Sequence, residues 1–328
     1  MLTRRRLKNA AKRVLFSIHR AGLRAGVIIL PNHYYVGISD VNVLRRTTDI
    51  WARRSKLVGV ESDLDGQASR IRAVCSPFEA EYRSNPFYTD AVARGSGPGF
   101  GYIEAQTLHG VLRHFKPRQI IEVGSGVSTR CSLAATAINE REGAPRCDIT
   151  CIEPYPSSWL ENGEIRLIRD EVQRIDFKIF ESLEPGSLLF VDSSHSVKVG
   201  GDVNYLILEV LPRLRAGVIV HFHDIYLPYD YARDVLTALE QPQETALLHA
   251  FLIGNRNVEI LFSLSQLHYD RREYLKNVFP EYRAQQDSNG LRDHSDGTHA
   301  PIGEHFPSST YLRIMHQFDD SHHNDPSC

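Results

Sequence analysis

Residues 119–130, QIIEVGSGVSTR, constrain this chain more than any other stretch. A short apolar run suited to a buried parallel strand includes an acid near its end, then turns through two glycines into a helix. Gly124 and Gly126 allow a sharp backbone turn, and Ser128 or Thr129 is placed to cap a helix continuing through residues 131–139. Such a corner leaves amide N–H groups facing a ligand, as in a nucleotide-type cofactor site. A dinucleotide fingerprint needs a third glycine at position 129, where helix and strand pack closely, and the residue there is Thr129. A pyrophosphate site is therefore disfavoured. The plain alternative is a strand–turn–helix corner whose glycines serve geometry alone.

The chain beyond repeats the strand-and-crossover rhythm. Residues 148–152 read as a second strand ending in Glu153, with Pro154 and Pro156 stopping its continuation. Residues 165–168 read as a third, followed by the polar segment 169–174. Residues 188–191 read as a fourth, running into Asp192-Ser193-Ser194-His195. A helix is expected over 203–211, ended by Pro212, and a fifth strand over 218–222, running into His223-Asp224. In open parallel sheets ligands bind beyond the carboxyl ends of the strands, so Glu153, Asp192, His195, His223 and Asp224 are expected around one crevice. Alternation along the fifth strand puts His221 and His223 on one face and Phe222 on the other.

The segments GSGVST, CIEPYP, FVDSSHS and VHFHDIYLPYDY, within residues 100–264, resemble a bacterial branch of class I S-adenosylmethionine-dependent methyltransferases related to catechol-type and macrolide-sugar O-methyltransferases. The resemblance implies a doubly wound, Rossmann-like α/β fold with a seven-stranded sheet whose last strand, at residues 310–314, returns antiparallel beside the sixth at 258–264. It implies that Glu122, Gly124, Ser125, Gly126 and Thr129 surround the cofactor, that Glu153 accepts its ribose hydroxyls, and that Asp170 and Gln173 border the adenine, with Asp192 also near the cofactor. In the catechol type an acid after the fourth strand and an acid–amide pair after the fifth hold a divalent metal, and a lysine three residues past the first acid removes the acceptor's proton. Here Asp192 matches the first acid, His195 stands at the lysine position, and His223 with Asp224 stands at the pair without its acid–amide identity.

The chemistry required is methyl transfer to an oxygen that becomes nucleophilic as its proton leaves, so a base or Lewis acid must sit beside the acceptor. His195, with an ordinary histidine pKa near neutrality, is the expected base, oriented by Asp192. Asp192, His223 and Asp224 are the expected metal ligands. Mg2+ suits the carboxylates, and Zn2+, Fe2+ or Mn2+ suits the histidine better. A hydroxyl on a sugar, glycan or other secondary metabolite is the expected acceptor. Two further readings stay open: a non-haem Fe(II) oxygenase using His221, His223 and Asp224, and a non-catalytic homologue that binds the cofactor without turnover.

Composition places limits on partners. Residues 1–60 carry a net charge of +11 and the remainder −13. Residues 1–24 contain no acid, and Leu7, Ala11, Val14, Leu15 and Ile18 form an apolar stripe between basic residues, a pattern suited to resting on an anionic membrane surface or packing on its own domain. No nucleic-acid motif accompanies the charge. The five cysteines lack paired spacing, which agrees with a reducing compartment and a cytoplasmic location. The expected organisation is a basic helix and irregular cap over residues 1–100, a catalytic domain over 101–316 with an insertion at about 270–305, and a flexible tail over 317–328. Within the cap, Asn32, His33, Tyr34 and Tyr35 are candidates to contact the acceptor, and the 227–231 loop is a candidate for specificity. Oligomeric state is not legible.

Overall fold

The computed structural model describes residues 2–96, 99–285, 287–292 and 306–317. The chain divides into two compact units, 1–51 and 52–328, so the boundary falls after Trp51 rather than near residue 100. In the first unit, the expected basic helix runs over Leu2–Arg24, with Val14, Phe16, Ile18 and Leu23 exposed. Asn32 donates to Asp40, the His33 ring stacks on Tyr35, and Tyr34 and Tyr35 are almost fully exposed. No helix among the described residues is long and apolar enough to cross a membrane.

The second unit is built on strands β1 (Gln119–Val123), β2 (Asp148–Ile152), β3 (Arg166–Ile168), β4 (Leu188–Val191), β5 (Ile219–Phe222), β6 (Val258–Ser263) and β7 (Thr310–Ile314). Their order in the sheet is β3-β2-β1-β4-β5-β7-β6, with β7 antiparallel to both neighbours and the rest parallel. The doubly wound α/β sheet of the sequence reading is thus present, and its switch point lies between β1 and β4, where such folds open a binding crevice.

Both faces of the sheet are covered. Alternation sends Ile120, Ile149, Cys151, Leu188 and Phe190 to one core, beneath helices α1 (Leu64–Cys75), α2 (Tyr102–Phe115) and α3 (Val127–Arg141). Ile121, Val123, Leu189, Val191 and Phe222 face a second core with Val203, Leu206, Ile207, Val210 and Leu248. Residues 52–100 are therefore structural as well as peripheral, since Ile71, Val74, Cys75, Tyr82 and Phe100 belong to the first core. A short helix runs over Thr48–Trp51, and Leu57 takes a positive φ of 49°.

One other expectation needs correction. The segment after β4 forms one α-turn, Asp202–Asn204, then a π-helix, Tyr205–Val210, and a 3-10 turn, Leu211–Arg213, in place of a regular helix. Pro212 has no N–H to give, which ends regular α bonding there. The supposed insertion holds a helix, Arg272–Val278, and a two-stranded hairpin, Asp287–Ser288 with Leu291–Arg292. Gly297, Gly303 and the tail from 318 lie outside the described residues.

Helix α2 is buried along almost its whole length and approaches α1 through Gly110, where a Cβ would meet Cys75 Sγ at 2.7 Å and its Cα at 2.9 Å. Gly110→Ala is expected to overpack this contact and lower unfolding free energy by about 1–3 kcal/mol. A urea midpoint equal to that of the wild type would show that the helices separate without cost.

Candidate active site

Strand register sets the site. Val123 pairs with both Ile152 and Val191, and Val191 pairs with Phe222, so the next residues of four strands fall side by side. The amides of Gly124, Glu153, Asp192 and His223 each extend the ladder by one hydrogen bond, to Ile152, Ile168, Val123 and Val191 respectively, all at 3.0 Å. Every functional side chain leaving these positions starts from a fixed backbone.

On the β1–β2 side, Gly124 has φ +94°, and a Cβ there would lie 2.7 Å from the Asp192 carbonyl oxygen. Only glycine meets both conditions. Ser125 donates to Glu153 at 3.2 Å, and the Tyr155 amide donates to the other Glu153 oxygen at 2.8 Å. Asp170 accepts from the Glu171 amide, and Gln173 donates to Glu171 while its own Oε1 is buried without a partner. Three expectations change here. Gly126, not Ser128 or Thr129, is the N-cap of α3, with Thr129 Oγ1 accepting from the Gly126 amide at 3.0 Å. Thr129 is fully buried and supports the turn through that bond. Glu122, 1% exposed, likewise lies beneath the turn, accepting from Ser128 at 2.6 Å and contacting Cys151 Sγ. Burial pushes its pKa up to about 7 against the opposing hydrogen bonds.

On the β4–β5 side, four side chains converge. His195 Nε2 lies 3.4 Å from Asp192 Oδ1 and 3.6 Å from Asp224 Oδ2, while His223 Nδ1 lies 3.4 and 3.7 Å from the same two oxygens. Donor atoms of Asp192, His195 and His223 all fall within 4.8 Å of one another. Each imidazole turns its other nitrogen to a buried carboxylate. His195 Nδ1 meets Glu244 at 2.7 Å, and His223 Nε2 meets Glu104 at 3.2 Å. Tyr226 and Ser308 hydroxyls donate to Asp224 Oδ1, leaving Oδ2 for the cluster. His195 and Asp224 both sit in the left-handed region, at φ 55° and 54°. Such strain outside glycine gathers at functional positions.

Four carboxylates, Asp192, Asp224, Glu104 and Glu244, thus surround two imidazoles, and the excess of negative charge with mixed oxygen and nitrogen donors fits a divalent cation. Burial opposes charge on His195, but its bonds to Asp192 and Glu244 and the nearby Asp224 hold its pKa up at about 10, not near neutrality as the sequence suggested. Burial also disfavours charge on His223, and Asp224, Glu104 and Asp192 outweigh it, raising that pKa well above the usual histidine range. Asp192 is held well below the carboxylate range, its burial outweighed by His223 and His195.

His221 does not join them. Its Nε2 meets Ser309 at 2.8 Å, its ring stacks on Tyr311 at 4.1 Å, and burial lowers its pKa to about 3. The set His221, His223 and Asp224 required by the oxygenase reading is therefore not assembled. The 227–231 loop buries Leu227, Pro228 and Tyr229. A cavity of about 150 Å³ instead opens beside Asp224, walled by Tyr226, Arg233, Arg292, Phe306 and Ser308. Glu244 gave no sequence signal, because an acid in the first turn of a helix (Glu244–Leu252) ordinarily reads as a response to the helix dipole.

Residues 121–225 match the family model described as a methyltransferase domain, a span running from β1 to just past β5. A protein of Archaeoglobus fulgidus of uncharacterised function is 28% identical over 181 residues, covering 52% of this chain and 80% of its own. Among solved structures, the SAH-bound methyltransferase PaMTH1 of Podospora anserina is similar at 13% identity and a TM-score of 0.36, covering 87% of this chain and 98% of its own. The MycE methyltransferase of the mycinamycin pathway, in complex with Mg, SAH and mycinamycin VI, is similar at 16% identity and a TM-score of 0.34, covering 71% and 54%. At these scores the structural likeness is remote.

The folded His195 ring keeps its proton to about pH 10, whereas an unfolded one releases it near 6.5. Its contribution to stability is therefore complete below 6.5 and lost as pH rises towards 10. In metal-free buffer, unfolding free energy is expected to fall across that window, and to fall less in His195→Gln. Parallel curves would contradict the raised pKa.

Proposed function

We propose that this methyltransferase uses S-adenosylmethionine to methylate a hydroxyl on a small polar acceptor, a sugar or other secondary metabolite. The observation that carries this reading is the convergence of Asp192, His195, His223 and Asp224 one residue or a few beyond strands in register with the Gly124 turn. The donor site suits its ligand through the uncharged glycine turn beside Glu153, each of whose oxygens accepts one hydrogen bond within the protein and keeps a lone pair for a ribose hydroxyl. S-Adenosylmethionine supplies a methyl group on a sulfonium: an oxygen nucleophile attacks the methyl carbon in line, a C–O bond forms as the C–S bond breaks, and the sulfur leaves as a neutral thioether.

The chain's own residues prepare the nucleophile. The cavity beside Asp224 is smaller than pockets that enclose whole drug-sized ligands, so it receives one end of the acceptor, and its arginines, tyrosine and serine suit hydroxylated surfaces. Glu244 holds His195 through Nδ1, leaving Nε2, which lies 3.6 Å from Asp224 at the edge of that cavity's wall, as the nitrogen to take the proton of an acceptor hydroxyl. Asp192, His223 and Asp224 are the residues that would hold a divalent cation. Bound by these residues, a cation would offset the aspartate charge that keeps His195 protonated and would supply Lewis acidity to a neighbouring hydroxyl.

Calorimetric titration with S-adenosylhomocysteine is expected to give micromolar binding, and its absence would reject the reading. Given binding, His195→Ala should lower turnover by about 10²–10⁴-fold, the usual share of general-base catalysis, with donor affinity nearly intact. Unchanged turnover would remove His195 as the base.

The basic Leu2–Arg24 helix, with Val14, Phe16, Ile18 and Leu23 exposed, is proposed to rest on an anionic membrane surface. The full chain should co-sediment with phosphatidylserine vesicles at low salt and be released at high salt. Failure to sediment at low salt would exclude this contact.

A further inference from the structure

We infer that Glu104 is a positioning residue that makes His223 a nitrogen ligand through Nδ1, setting the cluster for a cation that accepts imidazole. The inference rests on the metal role proposed above for Asp192, His223 and Asp224, and it concerns which atom of His223 binds and what holds it there.

Glu104 is completely buried near the start of α2, 119 residues from His223 in sequence. Its Oε1 accepts from the Ser308 amide at 3.0 Å and the Ser309 hydroxyl at 2.7 Å. Its Oε2 accepts from the Gly101 amide at 3.1 Å and faces His223 Nε2 at 3.2 Å. The Ser308 hydroxyl, 3.3 Å from Glu104, lies closer to Asp224, at 2.9 Å. The two main-chain amides have no choice of role, so a carboxylate that accepts from both, and from Ser309, presents an acceptor to the fourth partner as well. Nε2 of His223 must then carry hydrogen, and Nδ1, turned towards Asp192 and Asp224, is the nitrogen left to bind an ion. A carboxylate behind a ligating imidazole fixes both its tautomer and its ring plane and strengthens it as a donor. Asp192 and Asp224 supply oxygen, and His223 in a place where a third carboxylate would favour Mg2+ shifts the preference towards first-row transition ions.

The test uses the full chain with Zn2+ as a diamagnetic probe and 15N-labelled histidine. The His223 nitrogens should report metal at Nδ1 and a retained proton at Nε2. Ligation through Nε2, or a His223 signal indifferent to Zn2+, would overturn the inference. Glu104→Gln should weaken Zn2+ binding by about 10–100-fold, the usual loss on removing such a partner. Unchanged Zn2+ affinity in a variant whose circular dichroism matches the wild type would also overturn it. Binding of S-adenosylhomocysteine, measured on the same samples, reports the donor site separately: its loss in the wild type counts against the methyltransferase reading, and its persistence without Zn2+ binding counts against the inference alone.

Discussion

The site depends on the pairing of Val123 with Val191 and of Val191 with Phe222. Parallel register in a sheet buried on both faces is strongly specified, because a slip by one residue would turn each strand's outward and inward side chains over. Here the same register that seats Ile121, Leu189 and Val220 in one core brings Gly124, Asp192 and His223 into a row at the sheet's end. Packing energy thus sets catalytic geometry. The crevice needs no dedicated scaffold beyond the sheet, and its side chains begin from amides that are already hydrogen-bonded.

Around this row the two halves of the site use charge differently. The half by β1 and β2 has an uncharged glycine turn, with Glu122 buried beneath it and Glu153 the acid beside it. The half by β4 and β5 gathers carboxylates in excess of imidazoles, and the burial that would expel such charge is overcome by pairing. Leaving one member unpaired would be costly, which ties His195 to Glu244 and His223 to Glu104 as units.

Much of this was legible in the sequence. The strands at 119–123, 148–152, 188–191 and 310–314 have the bounds that the sequence indicated. The convergence of Asp192, His195, His223 and Asp224 followed from their positions just after two strands. What stayed hidden depends on distance along the chain or on depth. Glu104 and Glu244 reach their histidines across 119 and 49 residues, and nothing local shows which histidine either acid will meet. Thr129 and Glu122 occupy motif positions that suggest ligand contact, yet burial places them under the turn. His195 has a residue type whose ordinary pKa is near neutral, and only the surrounding carboxylates shift it. Depth also separates His221 from His223, since two residues along a strand carry the first into a stack with Tyr311.

A crystal structure of the full chain with S-adenosylhomocysteine and a divalent cation tests the account most directly. The account predicts ribose hydroxyls on Glu153, the sulfur above the Gly124 turn, and the cation between Asp192 Oδ1, His223 Nδ1 and Asp224 Oδ2. A ligand seated away from that turn, or a cation bound elsewhere while these atoms keep their hydrogen-bonded positions, would contradict it.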